Sequence, residues 1–475
     1  MKIFKKITAL VLSLIILTGA GICAFAADVD NGAAGEEFIP VLRFIASSDT
    51  HILSYSDKND KRIGMMLDLA YEISEADPNY KALDALLIAG DLTNDGTKEE
   101  FDRFAAAVKG SIREGTEFIG VVAKNHDGYE MRRSELRDYY KKETGSDADF
   151  NVVINGYHFI GLSASSNDTA HYDAKQLSWL DEQIKQAVSE DPDKPVFVTH
   201  HEHNSNTVYG SSTFEGWGVP YFNPILSKYP QVVDFSGHSH YPLNHPGSVW
   251  QGKFTAIGTG AIHYSEFTID QVRTYHPEDS DDTATFWIVE LDSSNRMRLR
   301  GYDLLAGECL TEYILDNPAD PANREYTPEK RKAASKPPVF DEGAAIRTEA
   351  TPGGCKITAP AAKSADGMPV VLYRASAANS LGMTVSSTWT LPKYYIAADQ
   401  KEIELELKAL PKGDYKISVV AENAYGGDSE ALTANVTVTE SGCPYCGEAH
   451  DGIAGKITLI FHYIAYFFAH LFGKK

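Results

Sequence analysis

The feature that most constrains this chain is a pattern repeated along its N-terminal part. An apolar, β-branched run stops abruptly in a cluster of polar, ionisable residues. Five such segments occur in order: "VLRFIASSDTH", "ALLIAGDLTNDG", "FIGVVAKNHDG", "PVFVTHHEH" and "VVDFSGHSH". Runs of this kind read as buried strands, and patterns of helical period such as "GMMLDLAYEIS" and "AKQLSWLDEQIKQAV" lie between several of them. Strands alternating with helices specify an α/β domain. Two-strand patterns also occur, "NVVINGYHFIGLSAS" with Asn155-Gly156 as its turn and "TFWIVELDSSNRMRLRGYDLL". The sheets are therefore expected to be mixed rather than purely parallel.

In an open α/β sheet the carboxyl ends of the strands share one edge, where ligands bind. These strand ends deliver Asp49 and His51, Asp91, Asn125 with His126, His200, and His238 with His240. Leaving so many ionisable groups unpaired at buried strand ends would be costly. So many oxygen and nitrogen donors converging on one edge exceed what one ion takes. They fit two ions about 3.5–4 Å apart sharing a carboxylate. No thiolate is among them, so the expected ions are Mn, Fe or Zn rather than copper.

The order D-x-H, G-D-x-x-x-x-G, N-H-D, a histidine after an apolar strand, and G-H-x-H resembles the calcineurin-like metallophosphoesterase superfamily. Here these are Asp49-Thr50-His51, Gly90-Asp91 through Gly96, Asn125-His126-Asp127, Thr199-His200 and Gly237-His238-Ser239-His240. The resemblance covers residues 41–305 and implies a four-layer α/β/β/α sandwich. It implies one ion on Asp49, His51, Asp91 and His240, and a second on Asp91, Asn125, His200 and His238, with Asp91 bridging. A metal-bound hydroxide would attack phosphorus in line. His126 would protonate or stabilise the leaving oxygen, and Asp127 would orient His126. The fourth motif offers His200, His201 and His203. The resemblance selects His200, which leaves His201 as a substrate contact or a support and His203 as a loop residue. No tyrosine follows Asp91 where purple acid phosphatases carry a tyrosinate ligand, which disfavours that subfamily.

One position departs from the family pattern. Lys124 stands where the motif has glycine. If that backbone needs a positive φ, lysine costs about 1–2 kcal/mol. The preferred expectation is an ordinary backbone with the side chain turned outward; the rival is an added cation beside the phosphate. His263, at another expected strand end in "GTGAIHYSEF", is a candidate substrate contact alongside Lys124 and His201. The aromatic, Gly-rich segment 201–224 carries Tyr209, Phe214, Trp217 and Tyr221, which either stack on a substrate or pack the loop down.

The rest of the chain sets the context. The formal charge of −22 over 475 residues opposes nucleic acid as a partner but not a small phosphorylated substrate, because bound cations invert the local field. "MKIFKK", an apolar run and "AFA" form a signal peptide, 1–26, so the protein is expected to be exported, either secreted or held at the cell surface. The metallophosphoesterase domain is placed at 40–305 and a linker at 306–340. Alternating strands at 341–440 form a small antiparallel β-sandwich whose "GDYKISVVAENAYGGDSE" resembles the end of a fibronectin type III module. In the tail, 441–475, Cys443, Cys446 and His450 have zinc-knuckle spacing but no certain fourth ligand, and a local disulfide or free thiols are an equal alternative. "ITLIFHYIAYFFAHLF" reads as an amphipathic helix lying on a membrane surface, with a short membrane span or a helix docked on the protein itself as the alternatives. The expected function is an exported dinuclear-metal phosphoesterase acting on phosphomonoesters or phosphodiesters. The alternative is a surface binding or adhesion protein with an inactive or weakly active scaffold; the partner of the sandwich is not legible.

Overall fold

The apolar runs fold as strands of two six-stranded mixed sheets. The computed structural model describes residues 37–167, 171–212, 217–268, 274–439 and, near the C-terminus, 457, 458, 460–462 and 464. The expected signal peptide and the Cys443, Cys446 and His450 cluster lie outside the described residues. The chain divides into two units, one running to Ala333 with Tyr395–Ala397, the other taking Ala334–Tyr394 and the residues from Ala398 onward.

In the first unit β1 (Pro40–Ser47) leads to helix α1 (Lys58–Ala76), β2 (Ala85–Ala89), helix α2 (Lys98–Ser111), β3 (Glu117–Val121) and helix α3 (Arg133–Thr144). The chain continues through β4 (Asp149–Ile154), β5 (Tyr157–Leu162), helix α4 (Ala174–Glu190) and β6 (Val196–Thr199). The short strands β7 (His203–Asn204) and β8 (Gly218–Val219) precede β9 (Val232–Ser236), β10 (Val249–Gln251) and β11 (Thr255–Gly258). A two-residue pair, β12 (Phe267–Thr268) and β13 (Thr274–Tyr275), is followed by β14 (Thr285–Asp292), β15 (Met297–Asp303) and β16 (Glu308–Leu315). The first sheet has the order β16-β15-β14-β1-β2-β3 and the second β10-β11-β9-β6-β5-β4. Strands β1, β2 and β3 run parallel, as do β5, β6, β9 and β11; the remaining pairs in both sheets are antiparallel.

Strand alternation sorts the side chains between faces. Phe44 of β1 meets Phe159, Phe197 and Phe235 of the second sheet edge-on, with centroids 5.1, 5.1 and 5.7 Å away. This cluster joins the inner faces of both sheets. On the other face of the first sheet, Ile45, Leu86 and Ile88 pack against Ile63 and Met66 of α1, Phe101 and Phe104 of α2, and Leu136 and Tyr140 of α3. On the other face of the second, Ile160, Val196 and Val198 pack against Leu180 and Ile184 of α4. Capping boxes, Thr97 with Glu100 and Asp173 with Gln176, fix the starts of α2 and α4. The β4–β5 turn sits on Asn155 and Gly156 at φ 50° and 80°, the left-handed pair a two-residue hairpin requires.

The segment 306–340, expected to be a linker, opens with a strand. β16 pairs with β15 from Met297↔Leu315 to Asp303↔Glu308 and forms the edge of the first sheet. As an edge strand it buries only Leu310, Tyr313 and Leu315, so its composition reads as polar.

The second unit is antiparallel throughout. Its strands are β17 (Arg347–Thr351), β18 (Gly354–Pro360), β19 (Val370–Ala378), β20 (Thr384–Thr390), β21 (Glu402–Leu407), β22 (Gly413–Asn423) and β23 (Leu432–Val438). They form the sheets β17-β18-β21 and β20-β19-β22-β23, with Ile357, Leu405, Tyr373, Ala375, Ile417 and Val419 packed together. This sheet-rich region fits a β-sandwich. Cys355 is a buried free thiol within it. Among the described residues no helix is long and apolar enough to cross a membrane. Most of the expected C-terminal amphipathic helix lies outside them.

Candidate metal centre

Each ionisable cluster sits one to a few residues beyond a strand of the two sheets, and in three of the five the backbone is strained. Asp49, His51, Asp91, His238 and His240 have φ of 52°, 41°, 48°, 74° and 55°. Non-glycine residues in this left-handed region cost about 1–3 kcal/mol each and persist only where the surroundings over-determine them. Here a ladder does so: Asp49 N–H donates to Gly90 O, His51 N–H to Asp91 O and Ile52 N–H to Leu92 O, each at 3.0 Å. Lys124 is not among the left-handed residues. The strain that its sequence position raised is borne instead by the acids and imidazoles themselves.

The side chains converge in three overlapping triads: Asp49, His51 and His240; His51, Asp91 and His126; and Asp91, His201 and His238. Within each, the candidate ligand atoms lie within 4.8 Å of one another. His51 Nε2 is 3.2 Å from His240 Nε2, and His201 Nε2 is 3.1 Å from both His238 Nδ1 and Asp91 Oδ2. Asn125 joins the second group, its Nδ2 lying 2.9 Å from Asp91 Oδ2 and 3.4 Å from His238 Nδ1.

The surrounding protein orients these groups. Asp49 Oδ2 accepts from Ser48 Oγ and, at 3.0 Å, from the His238 N–H, which turns Oδ1 to the cluster, 3.1 Å from His240 Nε2. His201 Nδ1 bonds the Ala89 carbonyl at 2.9 Å, His240 Nδ1 that of Tyr264 at 3.2 Å and His126 Nδ1 that of Asn94 at 2.7 Å. A ring that donates Nδ1–H to a carbonyl presents Nε2 to the centre, the tautomer a metal-binding histidine needs. Burial works to raise the Asp49 pKa, but His240 and His51 hold it well below the usual carboxylate range. Burial likewise opposes the His201 cation, yet Asp91 beside it holds its pKa well above the ordinary value.

The motif glycines follow from these contacts. Gly90 has φ +88°, and a Cβ there would lie 2.6 Å from His201 Nδ1. Gly90→Ala is expected to displace His201 and weaken metal binding at least ~10-fold, the size of effect seen when a ligand loses its support. Metal retained after dialysis against a graded chelator checks this; an unchanged retention curve would refute it.

Three sequence expectations are corrected. The first concerns His200, which faces away from the centre. Its Nε2 lies 2.9 Å from Asp234 Oδ1 and its ring stacks on Phe222 at 3.9 Å. Alternation explains this: Phe197 of β6 belongs to the inter-sheet core, whereas Val196 and Val198 face α4. His201 continues the inward parity and His200 the outward one. The second concerns Asp127, which does not bond His126. Its Oδ1 accepts from Thr93 N (2.9 Å) and Thr93 Oγ1 (2.8 Å), and Oδ2 from Ala123 N (2.8 Å), so it ties the Asp91 loop to the Asn125 loop. Burial, with Asp91 nearby, raises its pKa to about 6. The third concerns His203, a buried clamp rather than a loop residue, bonded to Ser236 Oγ at 2.8 Å and Ser239 Oγ at 2.7 Å.

The remaining candidates lie at the periphery. His263 sits with its ring 5.2 Å from that of His51 and its Nδ1 2.9 Å from Asn59 Nδ2. Lys124 is half-buried beside Asn125. Sequence reasoning passed over Tyr129, whose exposed ring lies 4.9 Å from that of His126, and Tyr264, 4.2 Å from His240. Tyr129 stands three residues after His126 and Tyr264 directly after His263, which was the available signal.

Residues 42–242 match the family model described as calcineurin-like phosphoesterase. The chain carries a calcineurin-like phosphoesterase domain, and its enzyme class is that of the metal-dependent phosphoric ester hydrolases. Among curated proteins it is 26% identical over 198 residues to a probable glycerophosphodiester phosphodiesterase GpdQ of Arcobacter nitrofigilis, covering 41% of this chain and 70% of that one. Among solved structures it is similar to purple acid phosphatase PPD1 from yellow lupin seeds, with a TM-score of 0.41 and 12% identity over 57% of this chain. The match spans about half of the lupin chain, 53%. It is also similar to a 5'-nucleotidase precursor from Thermus thermophilus, with a TM-score of 0.25 and 13% identity over 71% of this chain and 76% of that one.

Proposed function

We propose that this protein is an exported phosphoesterase that hydrolyses small phosphate esters at a two-metal centre, with Asp91 shared by both ions. The observation that carries the reading is a set of buried acceptors without hydrogen-bond partners at one point of the fold. Asp49 Oδ1, Asp91 Oδ1 and Asn125 Oδ1 are shut off from solvent, and each lacks a bonded donor. Buried carboxylate and amide oxygens in that state are costly unless a cation satisfies them. Two imidazole pairs meet at the same place nitrogen to nitrogen, which suits ions between them. The donor set is oxygen and nitrogen only, consistent with Mn, Fe or Zn.

Asp49, His51 and His240 would hold one ion, and Asn125, His201 and His238 the other. When bound, such ions supply a nucleophile from water at neutral pH and neutralise phosphoryl oxygens. The chain's own residues do the rest. The Asn94 carbonyl fixes His126 by Nδ1, and His126 lies edge-on to His51 at 4.4 Å. Its Nε2 is then placed to give a proton to the leaving oxygen. Asp127 keeps the Asp91 and Asn125 loops in register, and so sets the position of the shared carboxylate.

His126→Ala is expected to keep its metal content and lose ~10²–10⁴-fold in kcat, the usual range for a general acid. The loss should shrink for substrates with a good leaving group, such as p-nitrophenyl esters, relative to alkyl esters. An equal loss on both would remove the acid role.

The relative named a glycerophosphodiester phosphodiesterase makes phosphodiesters the first substrate class to examine. The three packing clusters support a four-layer α/β/β/α arrangement for the first unit, and the two sheets of the second support a fibronectin type III-like module. Cys309, engaged in a disulfide, supports an oxidising, extracytoplasmic location. The function test is hydrolysis of bis-p-nitrophenyl phosphate and p-nitrophenyl phosphate by metal-stripped protein, with Mn, Zn and Fe restored singly. Turnover that depends on metal supports the reading; none with any metal would overturn it in favour of a binding protein.

A further inference from the structure

We infer that the indole N–H of Trp217 is a hydrogen-bond donor to the substrate's phosphoryl group, on the His201–His238 side of the centre. The inference rests on the phosphoesterase reading and adds a substrate-binding residue to it. Trp217 Nε1 is shut off from solvent and has no hydrogen-bond partner. An indole N–H can only donate, and when buried it normally finds an acceptor. The Trp217 ring stands perpendicular to the His238 imidazole, at 83° with centroids 4.7 Å apart. That imidazole in turn places Nδ1 3.1 Å from His201 Nε2. The ring that carries the unsatisfied donor therefore packs directly against an imidazole of the candidate metal cluster.

Its position is built rather than incidental. The Trp217 carbonyl accepts from His203 N–H at 3.2 Å, and β7 pairs with β8 through His203↔Gly218 and Asn204↔Val219. A Cβ on Gly218 would fall 1.9 Å from the Ser211 carbonyl oxygen, so the chain beside Trp217 closes tightly on its own loop. His203 is clamped by Ser236 and Ser239, on either side of His238. Trp217 is thus tied both to the loop that carries His201 and to the loop that carries His238. A phosphoryl oxygen is the acceptor that this site would bring: it carries negative charge, and a hydrogen bond to a charged acceptor is among the stronger ones.

The test uses the full chain, labelled with ¹⁵N-tryptophan and loaded with zinc. The sequence has 5 tryptophans, so the indole region is simple, and Trp217→Phe identifies the relevant signal while keeping an aromatic ring. Inorganic phosphate is the probe. The expected result is that the Trp217 indole resonance moves downfield on titration. Trp217→Phe should bind phosphate ~10-fold more weakly at unchanged zinc content, the loss expected for one bond to a charged group. Phosphate that binds the parent without moving that resonance, or binds Trp217→Phe equally well, overturns the inference and leaves the phosphoesterase reading intact. A zinc content that falls in Trp217→Phe also overturns it, because the indole then serves the metal site. A parent that takes up none of zinc, manganese and iron, or binds no phosphate once loaded with any of them, overturns both.

Discussion

On the two-metal reading, His201→Ala is expected to lose one of the two ions and at least ~100-fold in kcat/KM, while His200→Ala keeps both and loses stability instead. The two residues are adjacent, and their difference is one of strand parity. His201 Nε2 is 3.1 Å from Asp91 Oδ2, and its own support is the Ala89 carbonyl at the end of β2. If His201 is a direct ligand, as proposed, the loss should exceed the ~10–100-fold that follows removal of a residue that merely supports a ligand. His200 touches none of these groups. Its loss leaves the Asp234 carboxylate fully buried with Asn204 Nδ2, at 2.7 Å, as its remaining donor, and opens space against Phe222. Breaking such a buried pair costs about 3–5 kcal/mol. Metal content by elemental analysis and urea denaturation separate the outcomes. Two ions in His201→Ala and one in His200→Ala would restore the sequence-based assignment.

Asp91→Asn is expected to lower kcat/KM ~10³-fold or more, equivalent to about 4 kcal/mol of transition-state stabilisation. Asp91 belongs to two of the three triads, and its Oδ2 faces Asn125, His201 and His51 at 2.9, 3.1 and 3.9 Å. The amide has nearly the same shape but carries no charge and brings a second N–H pair toward Asn125 Nδ2. Two cations held close together depend on the anion between them, so both occupancies should fall together. Circular dichroism should report an unchanged fold, because the ladder from β1 to the Asp91 loop uses backbone atoms only. A variant that retains one tightly bound ion would show that Asp91 serves a single position.

The five apolar runs with their polar endings pointed to the strand ends, where the ionisable side chains converge in the structure, and the motif order pointed to phosphoesterase chemistry. Asp49, His51, Asp91, Asn125, His238 and His240 do meet in the structure, because each follows a strand whose direction is fixed by its parallel neighbours. Three roles were not legible. Which of His200 and His201 faces inward depends on where β6 sits between the inner core and α4, and "VFVTHH" is apolar on both faces. The partner of His126 is a backbone carbonyl, which no sequence pattern announces. The strained backbone at Asp49, His51, Asp91, His238 and His240 could not be read from residue type, because aspartate and histidine, though enriched in the left-handed region, adopt ordinary backbone far more often.

The sequence by itself determined the α/β alternation, the mixed sheets, the sheet-rich second unit and the residue types at the centre, because these follow from local hydrophobic period and from short-range turn chemistry. Only the tertiary structure decided which histidine joins the centre, what holds each ring and acid in orientation, and that Trp217 brings an unpaired donor beside His238. Those depend on contacts between segments far apart in the chain, and on the parity of strands buried on both faces, where the pattern of apolar residues carries no directional information.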